Sequence, residues 1–226
     1  MKLAPGARGY LTSGKANFNA LDFGPKVESV GTSYTLRQGD QDFEGIPIAQ
    51  EDLINEWDLQ LADTPMSLNI QAGAYNGNFE LGGLSLEKLS ISEGGSTLTC
   101  AFSEPNHVEM SSFAFSTGGS SLELKGLANA NFSQMNFSAG AGDYTLRFDG
   151  DLRRDASVTI DAGIGKVNIK VPEGVNTRLT FDGSMTTINM DGAWSQNDNV
   201  YTLSGNDPTI TITVKMGAGA LNLRNE

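Results

Sequence analysis

Aspartates gather in one short stretch of the sequence, FDGDLRRDASVTIDAG, which contains Asp149, Asp151, Asp155 and Asp161. Carboxylate oxygens are the ligands that calcium prefers, and Asp149 and Asp151 have the D-x-D spacing found in calcium loops. The glycine and terminal glutamate of an EF-hand loop are absent, as is the nonapeptide repeat of calcium-binding β-helices. Because Arg153 and Arg154 lie in the same loop and can neutralise these carboxylates, we predict a solvated turn with local ion pairs. Calcium is then expected to leave the melting temperature unchanged.

Histidine and cysteine each occur only once, at His107 and Cys100, which limits nucleophilic and acid–base chemistry. His107 lies in SEPNHVEM, near Glu104 and Glu109, where we predict a surface turn between two repeats. No nucleophile stands out nearby, so a Ser–His triad is not expected. Cys100 occupies an apolar position of a strand and is predicted to be a core residue. A disulfide, a CxxC site and a multi-histidine metal site are excluded, and we predict no catalytic, cofactor-binding or metal-binding residues.

The overall composition narrows the possible partners. The formal net charge is −12, which disfavours nucleic acid and anionic lipid surfaces, since both attract basic proteins. No apolar run is long enough to cross a bilayer, and the opening MKLAPGARGYLTSGK lacks the apolar region of a signal peptide. The chain is therefore expected to be either cytoplasmic or a fragment that lacks its export signal.

A repeat accounts for most of the regular pattern in the sequence. Seven similar segments begin at Leu68, Leu89, Phe113, Met135, Val158, Leu179 and Ile212. In each segment apolar residues alternate with polar ones, then a glycine follows, and the alternation returns a few residues later. Alternation with a period of two indicates strands with one face turned inward. We predict that sixteen residues face inward: Leu68, Ile70, Leu98, Cys100, Phe113, Phe115, Phe137, Leu146, Phe148, Ile160, Val167, Ile169, Phe181, Ile188, Val214 and Leu221. Stacked strand–arch–strand units would bury those faces, so we predict an all-β fold, a single β-solenoid.

Glycines mark the bend in every unit. The sixth position of the segment carries Gly73, Gly94, Gly118, Gly140, Gly163 and Gly217, whereas the segment from Leu179 has Gly183 one position early. A second glycine follows at the eighth position as Gly142, Gly165 and Gly219. Such positions need either a positive φ or a close approach of another backbone, and we expect a positive φ at Gly140 and Gly163. The G-x-G spacing resembles a nucleotide loop, but it lies between two strands instead of a strand and a helix, so we interpret it as structural.

The flanks of the repeat are less regular. Short strands that begin the stack are predicted at 15–21, 26–30 and 33–37. A helical turn is predicted at 48–57, and a strand at 57–61 begins where that turn ends. The segment between Met190 and Ile210 is predicted to be a hairpin or an end cap. We divide the chain into residues 1–66, the N-terminal strands and cap, and residues 67–226, a repeat solenoid continuous with it in one structural domain. Trp57 and Trp194 could stack on sugars, but their places near the ends of the stack favour capping.

The blocks WDLQLADTPMSLNIQAGAY, GLANANFSQMNFSAGAGDYTLRFDGDLRRDASVTIDAGIGKVNI and ITITVKMGAGALNL resemble the toast-rack family of bacterial cell-envelope proteins. The resemblance runs from about Trp57 to the C-terminus and is weaker over residues 10–47. Related domains include the extracytoplasmic parts of modulators of cell-wall-stress sensor kinases, and proposed adhesins. The resemblance implies a β-solenoid at the bacterial cell envelope and supplies no catalytic motif. It also implies that any membrane contact is made through an anchor, and this chain has none.

Three functional hypotheses remain. The first is a non-enzymatic extracytoplasmic domain that presents a rigid surface to an envelope protein or a surface glycan, in adhesion or envelope-stress signalling. The second is a polysaccharide-active enzyme of the β-helix type, which would need two acids converging on one groove, and no such pair stands out in the sequence. The third is a scaffold that assembles end to end, against which the charged ending LNLRNE argues because an assembling end should be apolar.

Overall fold

The computed structural model describes residues 1–19, 24–39 and 54–226, and within them it is all-β, without a helix. Its strands are β1 (Lys2–Pro5), β2 (Thr12–Phe18), β3 (Lys26–Val30), β4 (Ser33–Arg37), β5 (Asn55–Leu61), β6 (Met66–Glu80), β7 (Leu86–Ala101), β8 (Ser112–Lys125), β9 (Gln134–Arg147), β10 (Ala156–Val171), β11 (Val175–Asp191), β12 (Ser195–Asn197), β13 (Val200–Leu203) and β14 (Asn206–Asn225). The described residues accordingly include no helix that could span a membrane. The predicted all-β solenoid is confirmed.

Each repeat forms one rung of the stack, and β9 shows how. Met135, Phe137 and Ala139 are buried before the arch, and Tyr144 and Leu146 are buried after it. The buried positions change from odd to even numbers because two successive arch residues, Gly140 and Ala141, are both exposed. Side chains alternate along a flat strand, so this change means that the chain turns over at the arch. Each rung therefore has a first leg before the arch and a second leg after it, and both legs face the same core.

Parallel pairing joins the rungs along both legs, and β13, β11, β14, β10, β9, β8, β7 and β6 are successive neighbours in a 12-stranded sheet. The last repeat in the sequence, β14, lies between β10 and β11. The rung at the end of the stack is thus β11. Its arch has a single glycine, one position early, and no further described rung packs on that arch. The argument against end-to-end assembly from the ending LNLRNE is therefore wrong, because β14 is an interior strand.

The segment between the last two repeats is both a hairpin and a cap, as predicted. β12 pairs with β13, and β13 pairs antiparallel with Thr177–Thr180 on the first leg of β11. Trp194, at the start of this hairpin, is buried in the core, which confirms its capping role. Trp57 lies on β5 at the other end of the stack, half-buried, with its indole N–H donating to Asn55 Oδ1 at 2.8 Å.

The N-terminal strands differ in part from the prediction. β1, β5 and β2 continue the ladder beyond β6, whereas β3 and β4 pair only with each other and do not join the stack. β2 begins and ends earlier than the predicted 15–21, and residue 21 lies outside the described residues. The predicted helical turn at 48–57 also lies mostly outside them, and its last residues belong to β5. The division at residue 66 stays a prediction.

The core follows the predicted register. Fourteen of the sixteen residues expected to face inward are buried: Ile70, Leu98, Cys100, Phe113, Phe115, Phe137, Leu146, Phe148, Ile160, Val167, Ile169, Phe181, Val214 and Leu221. The other two, Leu68 and Ile188, are partly buried because they lie on the terminal rungs β6 and β11. Burial also raises the pKa of the Cys100 thiol, as expected for an unreactive core residue.

The glycine prediction was wrong on one point. Positive φ angles occur at the eighth position, at Gly165 (144°) and Gly219 (130°), and not at Gly140 or Gly163. The sixth-position glycines are needed for close approach, since a Cβ on Gly140 would lie 2.1 Å from the carbonyl oxygen of Gly118. These glycines form a column in which the backbones of neighbouring rungs nearly touch.

Candidate functional site

The aspartates of the sequence cluster are separated in the structure, and three of them have different partners. Asp149 accepts a hydrogen bond from the backbone N–H of Gly126 at 3.1 Å, and Asp155 accepts one from that of Thr209 at 2.8 Å. Asp151 pairs with Arg153 at 3.1 Å, as predicted. In the part of the chain that the structure describes, no three potential metal-binding side chains come together. Asp149 and Asp155 therefore join neighbouring rungs, whereas Asp151 pairs within its own loop.

Arg154 does not neutralise the aspartate loop, contrary to the prediction. Its guanidinium pairs with Glu109 and donates to Asn131 Oδ1 at 2.9 Å, on a neighbouring loop. Asn131 itself has a positive φ of 57° and donates to the carbonyl of Val108. Arg154 thus holds together successive connections on one side of the stack.

Asp161 lies apart from the other three aspartates, in a shallow depression of about 380 Å³ over the arches of β10, β14 and β11. Asp182 and Lys215 also line it, and the ladder places Lys215 between the two aspartates. Two strand steps separate the aspartates, a Cα distance of about 10 Å. The structure thus brings together one pair of acids that the sequence did not single out, but with a lysine between them and without a deep groove.

His107 pairs with a residue distant in sequence, Asp63, its Nδ1 lying 2.9 Å from Asp63 Oδ2. The other carboxylate oxygen of Asp63 accepts from Ser85 Oγ at 2.7 Å, so the aspartate stands between the serine and the histidine. A catalytic triad requires the histidine in the middle, where it can take the proton of the serine. This trio therefore lacks the order of a nucleophilic site, and it ties the connections on one side of the stack together.

The hydrogen bond from Ser85, and secondarily that from His107, lowers the pKa of Asp63. A carboxyl group with a depressed folded-state pKa stabilises the fold above its unfolded pKa. That contribution is lost as the pH falls through the folded-state value. The trio is therefore expected to weaken in acid.

A buried polar cluster was missed by the sequence analysis. Glu93 occupies an inward position of β7 and is 7% exposed, and its Oε1 accepts from Ser96 Oγ at 2.6 Å and Ser120 Oγ at 2.9 Å. Thr117 and Ser120 share a further hydrogen bond of 2.6 Å. Burial, and secondarily Glu93, raises the pKa of Tyr75 on the neighbouring rung. A glutamate in a slot that Ala139 and Ala162 fill on other rungs was the signal that could have revealed this cluster.

The outward residues form two polar walls. On the first legs, hydroxyl and amide side chains stand level with one another across the rungs: Asn69, Ser90, Asn136, Thr159, Thr213 and Thr180, with Ala114 among them. On the second legs, asparagines bond in a ladder, Asn189 donating to Asn222 at 2.8 Å and Asn222 to Asn168 at 2.7 Å. We call these surfaces the first-leg wall and the second-leg wall.

With the rungs and walls in view, the chain can be compared with known proteins. The family model described as the N-terminal domain of toast_rack, DUF2154, matches residues 1–112. Residues 1–112 belong to the toast-rack N-terminal domain family. This confirms the predicted resemblance over residues 57–112 and includes the N-terminal strands, where the sequence resemblance was weaker. The blocks that begin at Gly126 and Ile210 lie beyond the matched residues. Among curated proteins, none matches the chain.

The rungs continue beyond the matched residues, and a solved structure supports the fold along the whole chain. The crystal structure of a proposed cell adhesion protein from Clostridium sporogenes ATCC 15579 is 13% identical, with a TM-score of 0.52. The match covers 100% of this chain and 87% of that one. At this identity the likeness concerns the fold.

Proposed function

We propose that this toast-rack chain is a non-enzymatic, extracytoplasmic domain of the bacterial cell envelope that presents the first-leg wall to a surface glycan or an envelope protein. The observation that carries the proposal is the wall itself. Six of the seven rungs place short hydroxyl and amide side chains level with one another, Asn136 and Thr159 among the exposed ones. Neighbouring strands are about 4.8 Å apart, so the groups form a regular array of hydrogen-bond donors and acceptors.

The stiffness of the stack suits such a surface to an extended partner. Both legs of each interior rung are hydrogen-bonded to the rungs above and below, and their inner faces share one core. Short side chains on a rigid sheet lose little conformational freedom when they bind, so the entropic cost of binding is small. Sugar hydroxyls and peptide amides are both complementary to this array.

Two considerations support an envelope role. Toast-rack proteins, which the sequence resembles, are bacterial cell-envelope proteins, and the solved neighbour is described as a proposed cell adhesion protein. The net charge of −12 does not favour nucleic acid or an anionic membrane surface as the partner. Adhesion and envelope-stress signalling would both use a stiff, polar contact surface.

The absence of enzymatic activity is part of the proposal and rests on the geometry of the acids and of His107. The trio of Ser85, Asp63 and His107 has the wrong order for nucleophilic catalysis. Asp161 and Asp182 line one shallow depression, where a polysaccharide-cleaving enzyme could place its two acids, and Lys215 lies between them. Paired acids in such enzymes need different environments, one kept protonated to act as the acid.

A glycan array and a polysaccharide-cleavage screen on the purified chain test the proposal together. We expect binding without cleavage, lost in Asn136→Arg and Thr159→Arg and retained in Ser121→Arg, an exposed control on the second-leg wall. Cleavage that disappears in the Asp161→Asn/Asp182→Asn variant would overturn the proposal in favour of an enzyme. If no glycan binds, a photo-cross-linker at residue 136 should capture an envelope protein, and a failure of both experiments would contradict the assignment.

A further inference from the structure

One end of the stack carries an unpaired strand edge. The second leg of β11 pairs with β14 on its inner side, whereas β13 covers only Thr177–Thr180 on the first leg. No strand among the described residues pairs with residues 184–191 on the outer side. Met190 is 44% exposed and Ile188 partly buried there, although Leu223 and Leu221, level with them on β14, are fully buried. The edge therefore keeps core-type residues where no described rung covers them.

The other end of the stack carries a second such edge, on β2. The ladder of second legs continues from β6 through β1 and β5 to β2, and no described strand pairs with the outer side of β2. β2 runs antiparallel to β5, and hence to the rungs. A strand paired antiparallel to β2 on its free side would have the direction of β11.

The two edges match in size when the ladder is extended straight along the stack. The strand registers place Met190 level with Gly14 of β2, and Ile188 level with Ala16. The large inward residues of one edge thus face the small inward residues of the other. Cross-strand pairs of this kind are the stabilising unit of a sheet.

The two edges also match in charge. Asp182 and Asp191 flank the free leg of β11, and no basic residue lies between them. The first nineteen residues contain Lys2, Arg8 and Lys15 and no acidic residue, in a chain whose net charge is −12. In the same straight register Lys15 lies beside Asn189 and diagonal to Asp191. The basic edge of one molecule thus complements the acidic edge of another.

The caps leave room for such a contact. At the β2 end, three strands (β1, β5 and β2) extend beyond β6 in the layer that the second legs form, by about 14 Å along the stack. At the β11 end, the hairpin of β12 and β13 overhangs the first-leg layer by two strands, about 10 Å. Because the overhangs lie in different layers, each one fits beneath the other when β11 of one molecule meets β2 of the next.

We propose that this chain associates head to tail with further copies of itself, the second leg of β11 in one molecule pairing antiparallel with β2 of the next. The contact is heterologous, because it joins two different surfaces, and it leaves a free edge at each end of the assembly. The sheet of second legs would continue from one molecule into the next. This inference is independent of the ligand that the first-leg wall binds.

Sedimentation velocity over a range of concentrations tests the proposal on the full chain. We expect the unaltered protein to form reversible, concentration-dependent oligomers. Ile188→Lys should block the β11 edge, and Ala16→Lys should block the β2 edge, so each variant alone should be monomeric. Their equimolar mixture should form 1:1 dimers, because the β2 edge of the first variant and the β11 edge of the second remain intact. Ile164→Lys, a control at an exposed residue in the middle of the stack, should associate as the unaltered protein does.

Two results would overturn the proposal. One is an unaltered protein that stays monomeric at the highest concentration at which it remains in solution. The other is an Ala16→Lys variant that still dimerises while Ile188→Lys does not, since this would mean that β11 pairs with its own copy. If either lysine variant fails to fold, Lys15→Asp at an exposed position is the substitute, expected to weaken association about two- to five-fold and to be rescued by Asp191→Lys.

Discussion

The arches of β7 and β8 are closed differently from those of β9, β10 and β14. At the eighth position of the rung the first two have Ser96 and Ser120, where the other three have glycines such as Gly165. Serine hydroxyls there bond to Glu93 inside the arch, whereas the glycines let a neighbouring backbone approach closely. At the eighth position the fold therefore uses two solutions, a buried hydrogen-bond network in β7 and β8 and close backbone approach in the other three, whereas the sixth-position glycines approach closely in both kinds of arch. The two kinds of arch should respond to different substitutions.

The largest effect is expected for Gly165→Val in the glycine-closed arches. Gly165 has a φ of 144°, and a Cβ there would lie 1.9 Å from the carbonyl oxygen of Gly142. Backbone strain and overpacking each contribute roughly 1–3 kcal/mol, so the free energy of unfolding should fall by about 3 kcal/mol or more. Urea denaturation measures the change.

The matched control for this substitution is Gly73→Ala, on the first rung of the glycine column. A Cβ at Gly73 meets nothing within 4 Å, and its φ is not positive. Its stability should change by less than about 1 kcal/mol. If both variants were equally stable, backbone approach would not be what closes these arches.

Gly140→Ala separates close approach from backbone conformation. Gly140 has no positive φ, but its Cβ would lie 2.1 Å from the carbonyl oxygen of Gly118. We expect a loss of about 1–3 kcal/mol in the free energy of unfolding, because the rungs must move apart. A crystal structure of the variant should show the β8–β9 spacing widened at the arch, and an unchanged spacing with unchanged stability would contradict the interpretation.

Periodicity alone was enough to predict the rungs, because residues such as Leu146 and Ile169 can alternate in only one register without exposing the core. It could not predict that β14 inserts between β10 and β11, since every repeat has nearly the same pattern and strand order depends on how the arches pack. Positive φ at Gly165 instead of Gly163 was likewise hidden, because both positions are glycine. The trio of Ser85, Asp63 and His107 could not be predicted from the sequence, because the histidine is 44 residues from its aspartate partner.

Glu93→Ala should destabilise the hydrogen-bonded arch. The hydroxyls of Ser96 and Ser120 would lose their acceptor in a buried place, which typically removes about 1–3 kcal/mol from the free energy of unfolding. Glu93→Gln keeps an acceptor oxygen and should lose less. If the alanine variant were as stable as the glutamine variant, the network would not contribute to closing the arch.

Thr117→Val is expected to have the smallest effect on the free energy of unfolding. It tests whether the hydrogen-bond network couples the two rungs β7 and β8. Thr117 is 6% exposed and shares a hydrogen bond of 2.6 Å with Ser120, which also bonds to Glu93. Valine keeps the shape of threonine and removes only its hydroxyl, and Ser120 retains its acceptor in Glu93. The free energy of unfolding should therefore fall by about 0.5–1.5 kcal/mol, the net contribution of one hydrogen bond. The same substitution should also be measured in the Glu93→Gln background. If Thr117 and Glu93 act through Ser120, the loss in the free energy of unfolding caused by Thr117→Val should differ between the two backgrounds. Strictly additive losses would mean that the two rungs close their arches independently.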